Sequence, residues 1–255
     1  MLNKWRLIQK THGLDLDDPQ LTIIRREILK KKNFLHKIYD DWYRLIQSFT
    51  NDGGSPILEV GSGAGFSEEI FLNVNKSDVL FLPSNHLVMS ALDIPFSTES
   101  LQTIILVNVF HHLPAADRFL ENAQRILKTN GRMIMIEPWM TPWSHWILSK
   151  INPEPTDVNM KGWRFYSNGP LSDANAALPW IVFQRDKEDL NSKYPDLRII
   201  HIQPMMPFRY FLSGGMSSWF SFPGFSYSVI DFFENLFARK MDSLGMFALI
   251  VLEKK

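Results

Sequence analysis

At 255 residues the chain has room for one large domain or two small ones, and 45% hydrophobic with 21% charged residues is the composition of a globular protein with a sizeable core. Lys plus Arg and Asp plus Glu both number 27, so the formal net charge is zero and no nucleic-acid partner is expected. There are no cysteines, which excludes disulfides, thiolate nucleophiles and zinc–thiolate centres.

The sequence opens MLNKWRLIQKTHGLDLDD, without the apolar stretch of a secretory signal, and no run reaches the roughly 18 apolar residues of a membrane span. The expected location is the cytoplasm. Residues 1 to about 50 read as helical. Asp17-Asp18-Pro19 is a helix start, with proline in the first turn and acids at the positive end of the dipole. Ile23, Ile24, Ile28, Leu35, Ile38, Trp42, Leu45 and Ile46 recur at helical spacing. Lys30-Lys31-Lys32 reads as a solvated face, and Asn51-Asp52-Gly53-Gly54 ends the segment.

ILEVGSGAGF, from Ile57 to Phe66, then reads as a buried strand running into a glycine turn, with a helix expected from there to Val74. Such a turn lets backbone N–H groups approach a ligand at the carboxyl end of a strand. In a dinucleotide G-x-G-x-x-G pattern the third glycine would fall on Phe66. What stands here is Glu59-x-Gly61-x-Gly63-x-Gly65, which resembles motif I of the class I S-adenosylmethionine (SAM)-dependent methyltransferases. The resemblance implies that Glu59 helps anchor the cationic methionine end of SAM and that Gly61, Ser62, Gly63 and Gly65 form the cofactor loop. An acid suits a ligand with an ammonium and a sulfonium, and it would repel a pyrophosphate.

The later motifs keep the family's order. Asp78 is the candidate for the ribose hydroxyls at the tip of the second strand, about 20 residues after the motif begins. The alternative is a strand over Val79–Leu82, with Ser84 or Asn85 on the ribose. In HLVMSALDIPF, Ser90 stands where the family has an acid facing the adenine, followed by Ala91 and Leu92, with Asp93 a candidate substitute or plain turn chemistry. Thr103 to Val107 reads as a central strand leading to Asn108, which the resemblance turns toward cofactor or substrate. His112, and after it His111, are candidate general bases or structural caps. Pro114 to Leu127 reads as an amphipathic helix closed by Asn130-Gly131, and Arg132 to Glu137 as a strand. Glu137, at that strand's carboxyl end, is a candidate base, a substrate-positioning group or a cap for the next helix. LRIIHI and MFALIVL would be the sixth and seventh strands, and the resemblance implies that the seventh runs antiparallel beside the sixth.

The expected fold is a doubly wound, Rossmann-like α/β sheet of seven mostly parallel strands. A helical N-terminal cap (1–52) precedes a SAM-binding domain (53–255) with insertions at about 139–195 and 205–244. The second insertion is rich in aromatics, which suits an apolar acceptor pocket, a membrane-surface or dimer patch, or plain core. Within it Arg209 could meet an anionic substrate group or make a structural ion pair. The resemblance implies SAM-dependent methylation of a small-molecule acceptor; the aromatic insertion suits one that is aromatic or lipid-like, and no metal-ligand spacing is present. A non-catalytic SAM-binding scaffold and a nucleotide-dependent oxidoreductase stay open as alternatives, as does the oligomeric state.

Overall fold

The computed structural model describes residues 9–50, 55–151, 155–218 and 220–255, so the breaker at residues 51–54 lies outside the described residues. Seven strands form one sheet: β1 (Ile57–Val60), β2 (Val74–Asp78), β3 (Leu87–Val88), β4 (Leu101–Val107), β5 (Leu127–Pro138), β6 (Leu197–Met205) and β7 (Phe247–Lys254). Their order is β3-β2-β1-β4-β5-β7-β6. The first five are parallel, and β7 runs antiparallel between β5 and β6. The second strand ends on Asp78, and Val79 to Leu82 form no strand.

The central strands bury alternate residues into two separate cores, as period-two side chains require when both faces are covered. Ile104, Leu106, Met133, Met135, Ala248, Ile250 and Leu252 face one side. Helix α3 (Ala116–Ile126) covers them with Phe119, Leu120, Ala123 and Ile126, and the first insertion adds Leu178, Ile181, Val182 and Phe183. Ile105, Ile134, Ile136, Leu249 and Val251 face the other side. There the cover is α2 (Asn33–Phe49), through Leu35, Ile38, Trp42, Tyr43 and Ile46. The segment expected as a cap therefore also supplies one helical layer of the sheet. Before it, α1 (Pro19–Lys31) is capped by Asp18, whose carboxylate accepts from the Gln20 N–H at 2.8 Å.

Four local expectations change. The helix expected after the glycine turn is only the 3₁₀ turn Ser67–Glu69. Phe66 and Phe71 pack instead into the aromatic core around Tyr43, with Phe66 stacked on His36 at 4.3 Å, and β2 begins at Val74. Helix α3 starts at Ala116, not Pro114, because Pro114 and Ala115 pair with the first insertion: Phe165 N–H donates to Pro114 O, and Ala115 bridges Arg164. The helix ends at Ile126, and the turn expected at Asn130-Gly131 is a bulge within β5, where the register to β4 jumps from Leu127 to Arg132. Lys32, expected in water with Lys30 and Lys31, is buried at the α1–α2 junction. Its ammonium donates to the carbonyls of Gly215 (2.6 Å), Ser218 (3.0 Å) and Phe220 (3.1 Å), and these three acceptors offset the desolvation.

The second insertion contains a short helical turn, Arg209–Ser213, and α6 (Tyr227–Asn235); α4 (Pro142–Ile151) and α5 (Lys187–Lys193) belong to the first. Arg209 is a structural hub and not a substrate anchor. It pairs with Glu234 (2.5 Å), Asp231 (2.7 Å) and Asp41 of α2 (3.3 Å), and it donates to the Tyr227 hydroxyl.

Candidate cofactor and acceptor site

A cavity of about 820 Å3 opens at the carboxyl ends of β1, β2 and β4. One end is walled by Gly61 to Gly65, Asp78 and Met89 to Leu92. The middle is walled by Tyr39, Tyr43, Asn108, His111 and His112. The far end is walled by Ile147, Leu148, Tyr210, Phe211 and the loop from Gly214 to Ser218. Thr22 and Arg25 of α1 face it as well.

The glycine loop is shaped by contacts that tolerate no side chain. Gly61 has φ +65°, and a Cβ there would lie 2.7 Å from Val109. At Gly65 a Cβ would collide with the Tyr43 hydroxyl. Gly63, at φ +46°, is the opposite case, because an added Cβ would meet nothing nearer than 3.8 Å. Asp78 steadies the loop from the end of β2, accepting from Gly63 N–H and Leu80 N–H at 2.9 Å each. Burial pushes its carboxyl upward, and those backbone donors oppose the push. Ser62 donates to Asn85 Oδ1 at 2.7 Å, so Asn85 serves the loop and is not on the cavity wall. Ser90 lines the cavity while its hydroxyl accepts from Leu92 N–H at 3.1 Å. Asp93 is exposed and off the wall.

Glu59 does not face the cavity. It is buried beneath the loop, where the Tyr43 hydroxyl donates to Oε1 at 3.1 Å and the Ser67 hydroxyl to Oε2 at 2.5 Å. Burial pushes its carboxyl up to about 7, against the lowering effects of Ser67, Lys76 and Tyr43. Its geometry makes it a peg that ties α2 to the loop.

Asn108 takes φ +57°, the left-handed conformation that asparagine tolerates best among residues with a Cβ, and its side chain hydrogen-bonds Tyr39. Burial pushes Tyr39 up to about 12, so it stays a phenol at neutral pH. Glu137 is buried and also off the wall. It caps the 3₁₀ turn Phe110–His112, not the following helix: Oε1 accepts from Val109 N–H (2.7 Å) and Phe110 N–H (2.8 Å). Its Oε2 lies 2.7 Å from His111 Nδ1. A carboxylate there accepts, which places the proton on Nδ1 and makes Nε2 the basic nitrogen. His112 Nδ1 lies 3.2 Å from the Asp173 carbonyl, which can only accept, so the same tautomer holds.

A family model described as a methyltransferase domain matches residues 66–135, and around that stretch stand the seven-stranded sheet and the glycine loop. Over those residues the chain is similar to methyltransferase domains. Its fold recurs in solved structures. Geranyl diphosphate C-methyltransferase from Streptomyces coelicolor A3(2), solved with Mg2+, geranyl diphosphate and S-adenosylhomocysteine, is 12% identical with a TM-score of 0.53, over 97% of this chain and 87% of that chain. A SAM-dependent methyltransferase from Mesorhizobium loti is also 12% identical, with a TM-score of 0.50, over 84% of this chain and 97% of that chain. No curated protein matches the chain. The methyltransferase domain's cofactor is SAM. The cavity suits it, with a side-chain-free backbone at Gly63, a carboxylate at Asp78 for a diol and apolar walls at Met89 and Leu92 for a base. Among the described residues no group of His, Asp and Glu is placed to hold a metal, and no helix is long and apolar enough to cross a membrane.

The sequence reading missed Thr22, Arg25, Tyr39 and Tyr43 on the cavity wall, and the loop from Gly214 to Ser218. A signal for the tyrosines was present. They lie four apart on α2, in step with Leu35 and Trp42, and so share the face turned to the sheet.

Proposed function

We propose that this protein methylates a small molecule with an apolar body, seated between the glycine loop and the second insertion. The observation that carries the reading is the continuous cavity, whose 820 Å3 lies toward the upper end for single ligand sites and suits two molecules end to end. At the cofactor end, Gly61 to Gly65, Asp78, Ser90, Ala91, Leu92 and Asn108 would hold SAM, with Glu59 fixing the loop from below. Bound SAM supplies a methyl group on a sulfonium, already activated toward a nucleophile. The protein's part is then alignment and, where the nucleophile carries a proton, its removal.

His111 is the base of this proposal, because its partner is a carboxylate. Glu137 holds the ring's orientation and tautomer and stabilises the imidazolium formed when Nε2 takes the proton. His112, whose partner is a neutral carbonyl, positions the acceptor. Its expected setting is the cytoplasm.

The test has two stages. Calorimetry with SAM and S-adenosylhomocysteine on the wild type and on Asp78→Ala reads the cofactor site, and absence of binding by the wild type would sink the reading. Mass spectrometry over a panel of apolar alcohols, phenols and amines then reads methyl transfer. His111→Asn should keep S-adenosylhomocysteine affinity within a few-fold while lowering kcat by about 100-fold or more. Equal turnover by His111→Asn would remove the base from the proposal.

A further inference from the structure

The inward side of helix α6 carries charge beside apolar groups: Tyr227 and Ile230 meet the core, while the buried Glu234, with Asp231, closes on Arg209. The outward positions are apolar. Phe225, in the turn that leads into the helix, is 85% exposed; Phe232 is 63% and Phe233 56% exposed, and Leu236, just past the end, is 66% exposed. Val229 and Phe237 extend the same exposed surface. Residues 225, 229, 232, 233 and 236 follow helical spacing and so share one side. Folding thus turns Asp231 and Glu234 toward Arg209 and leaves the phenyl rings in solvent.

We propose that this face docks the protein on an anionic lipid surface. The charge pattern selects that occupant. Between Phe225 and Lys240 the two acids, Asp231 and Glu234, are both engaged by Arg209. Arg239 and Lys240 stand exposed at the end of the apolar face, with no ion pair to either among the described residues. Lys37 stands at the start of the face, exposed, donating to Gly224 O at 3.2 Å. Phenyl rings flanked by cations suit the boundary between acyl chains and anionic headgroups. A two-fold contact with a second copy would set two cation-flanked faces against each other. Behind the face, a chain of ring contacts through the buried Phe34 and Tyr227 links the helix to the cavity wall. Phe220 lines the cavity and touches Phe222 (5.6 Å), which touches Phe34 (6.4 Å), which meets Tyr227 of α6 (5.1 Å).

Docking needs neither cofactor nor acceptor, so its test is independent of the methyl-transfer reading. The full chain is floated with phosphatidylcholine vesicles, with and without phosphatidylglycerol. The wild type should float with the anionic vesicles. Phe232→Ser/Phe233→Ser should bind them at least tenfold more weakly, about 1.4 kcal/mol. Arg239→Gln/Lys240→Gln should lose roughly fivefold per cation, and only on anionic vesicles. Melting curves check each fold, and Val229→Ser/Leu236→Ser repeats the test should the first pair not fold. A wild type that stays unbound at every composition overturns the proposal. So does a dimer seen by light scattering that Phe232→Ser/Phe233→Ser abolishes, which would assign the face to a second copy.

Discussion

Replacing Glu59 by Gln is the sharpest test of the peg beneath the glycine loop. In the folded chain burial raises this carboxyl to about 7, against an ordinary value of 4.5. Between those values the folded state holds a proton that the unfolded state has released. Stability is therefore fully present below the unfolded value, falls as pH rises, and levels off above the folded value. At about 1.36 kcal/mol per pH unit, the loss across that interval is roughly 3 kcal/mol. Gln never ionises. It also fits the site, because both partners are hydroxyls, Tyr43 and Ser67, which can donate to the amide oxygen or accept from the amide nitrogen. The expected result in urea unfolding, followed by circular dichroism from pH 5 to 8.5, is near-equal stability of the two proteins at pH 5. The variant's advantage should then grow with pH and reach a plateau above pH 7. An advantage that shrinks as pH rises would refute the reasoning, because it would mean that Lys76 holds Glu59 ionised in the fold.

Lys32→Met removes three charge-assisted hydrogen bonds and leaves three carbonyls facing an alkyl group, so unfolding free energy should fall by about 3 kcal/mol in urea titrations. Acceptor KM should rise more than the SAM dissociation constant, because those carbonyls belong to the acceptor end of the cavity. Gly65→Ala forces a methyl group against Tyr43 and should destabilise the fold by about 2 kcal/mol, read by thermal melting, with a tenfold or greater loss of S-adenosylhomocysteine affinity in calorimetry. Arg209→Met strands the buried Glu234 without its cation and should lower stability by roughly 3–5 kcal/mol in the same urea assay, while S-adenosylhomocysteine affinity of the folded fraction is kept.

Much of the sheet was legible because its signals are local. ILEV, LQTIILV and FALIVL are apolar runs that only a covered strand explains, and the ordered motifs from Glu59 to Glu137 carried the family. What the sequence hid depends on partners far along the chain. Lys32 reads as one of three solvated lysines until the carbonyls of Gly215, Ser218 and Phe220 are brought to it. Arg209 stays open between a substrate anchor and a structural ion pair until Asp41 arrives from α2. The helix expected after the glycine turn does not form because the aromatic core contributed by α2 takes Phe66 and Phe71. Glu59 reads as a ligand anchor by its motif and Glu137 as a base, a positioning group or a cap by its strand-end position, and neither reaches the wall. Their oxygens are engaged by Tyr43 and Ser67, and by the 3₁₀ turn with His111. The aromatic insertion divides in the fold: Tyr210, Phe211 and Phe220 line the cavity, Tyr227 is buried, and Phe225, Phe232 and Phe233 face outward.

The position of β7 sets an order of events during synthesis. It is translated after every other strand, yet it lies inside the sheet, between β5 and β6. Until it emerges, β6 has no neighbour to pair with. Trp42 of α2, translated about 200 residues earlier, waits for Phe247, which it meets at 5.0 Å. Both cores stay open over the same interval, since Ala248 and Ile250 close one and Leu249 and Val251 the other. The nascent chain thus exposes an unsealed apolar sheet until β7 emerges, the kind of surface that chaperones shield.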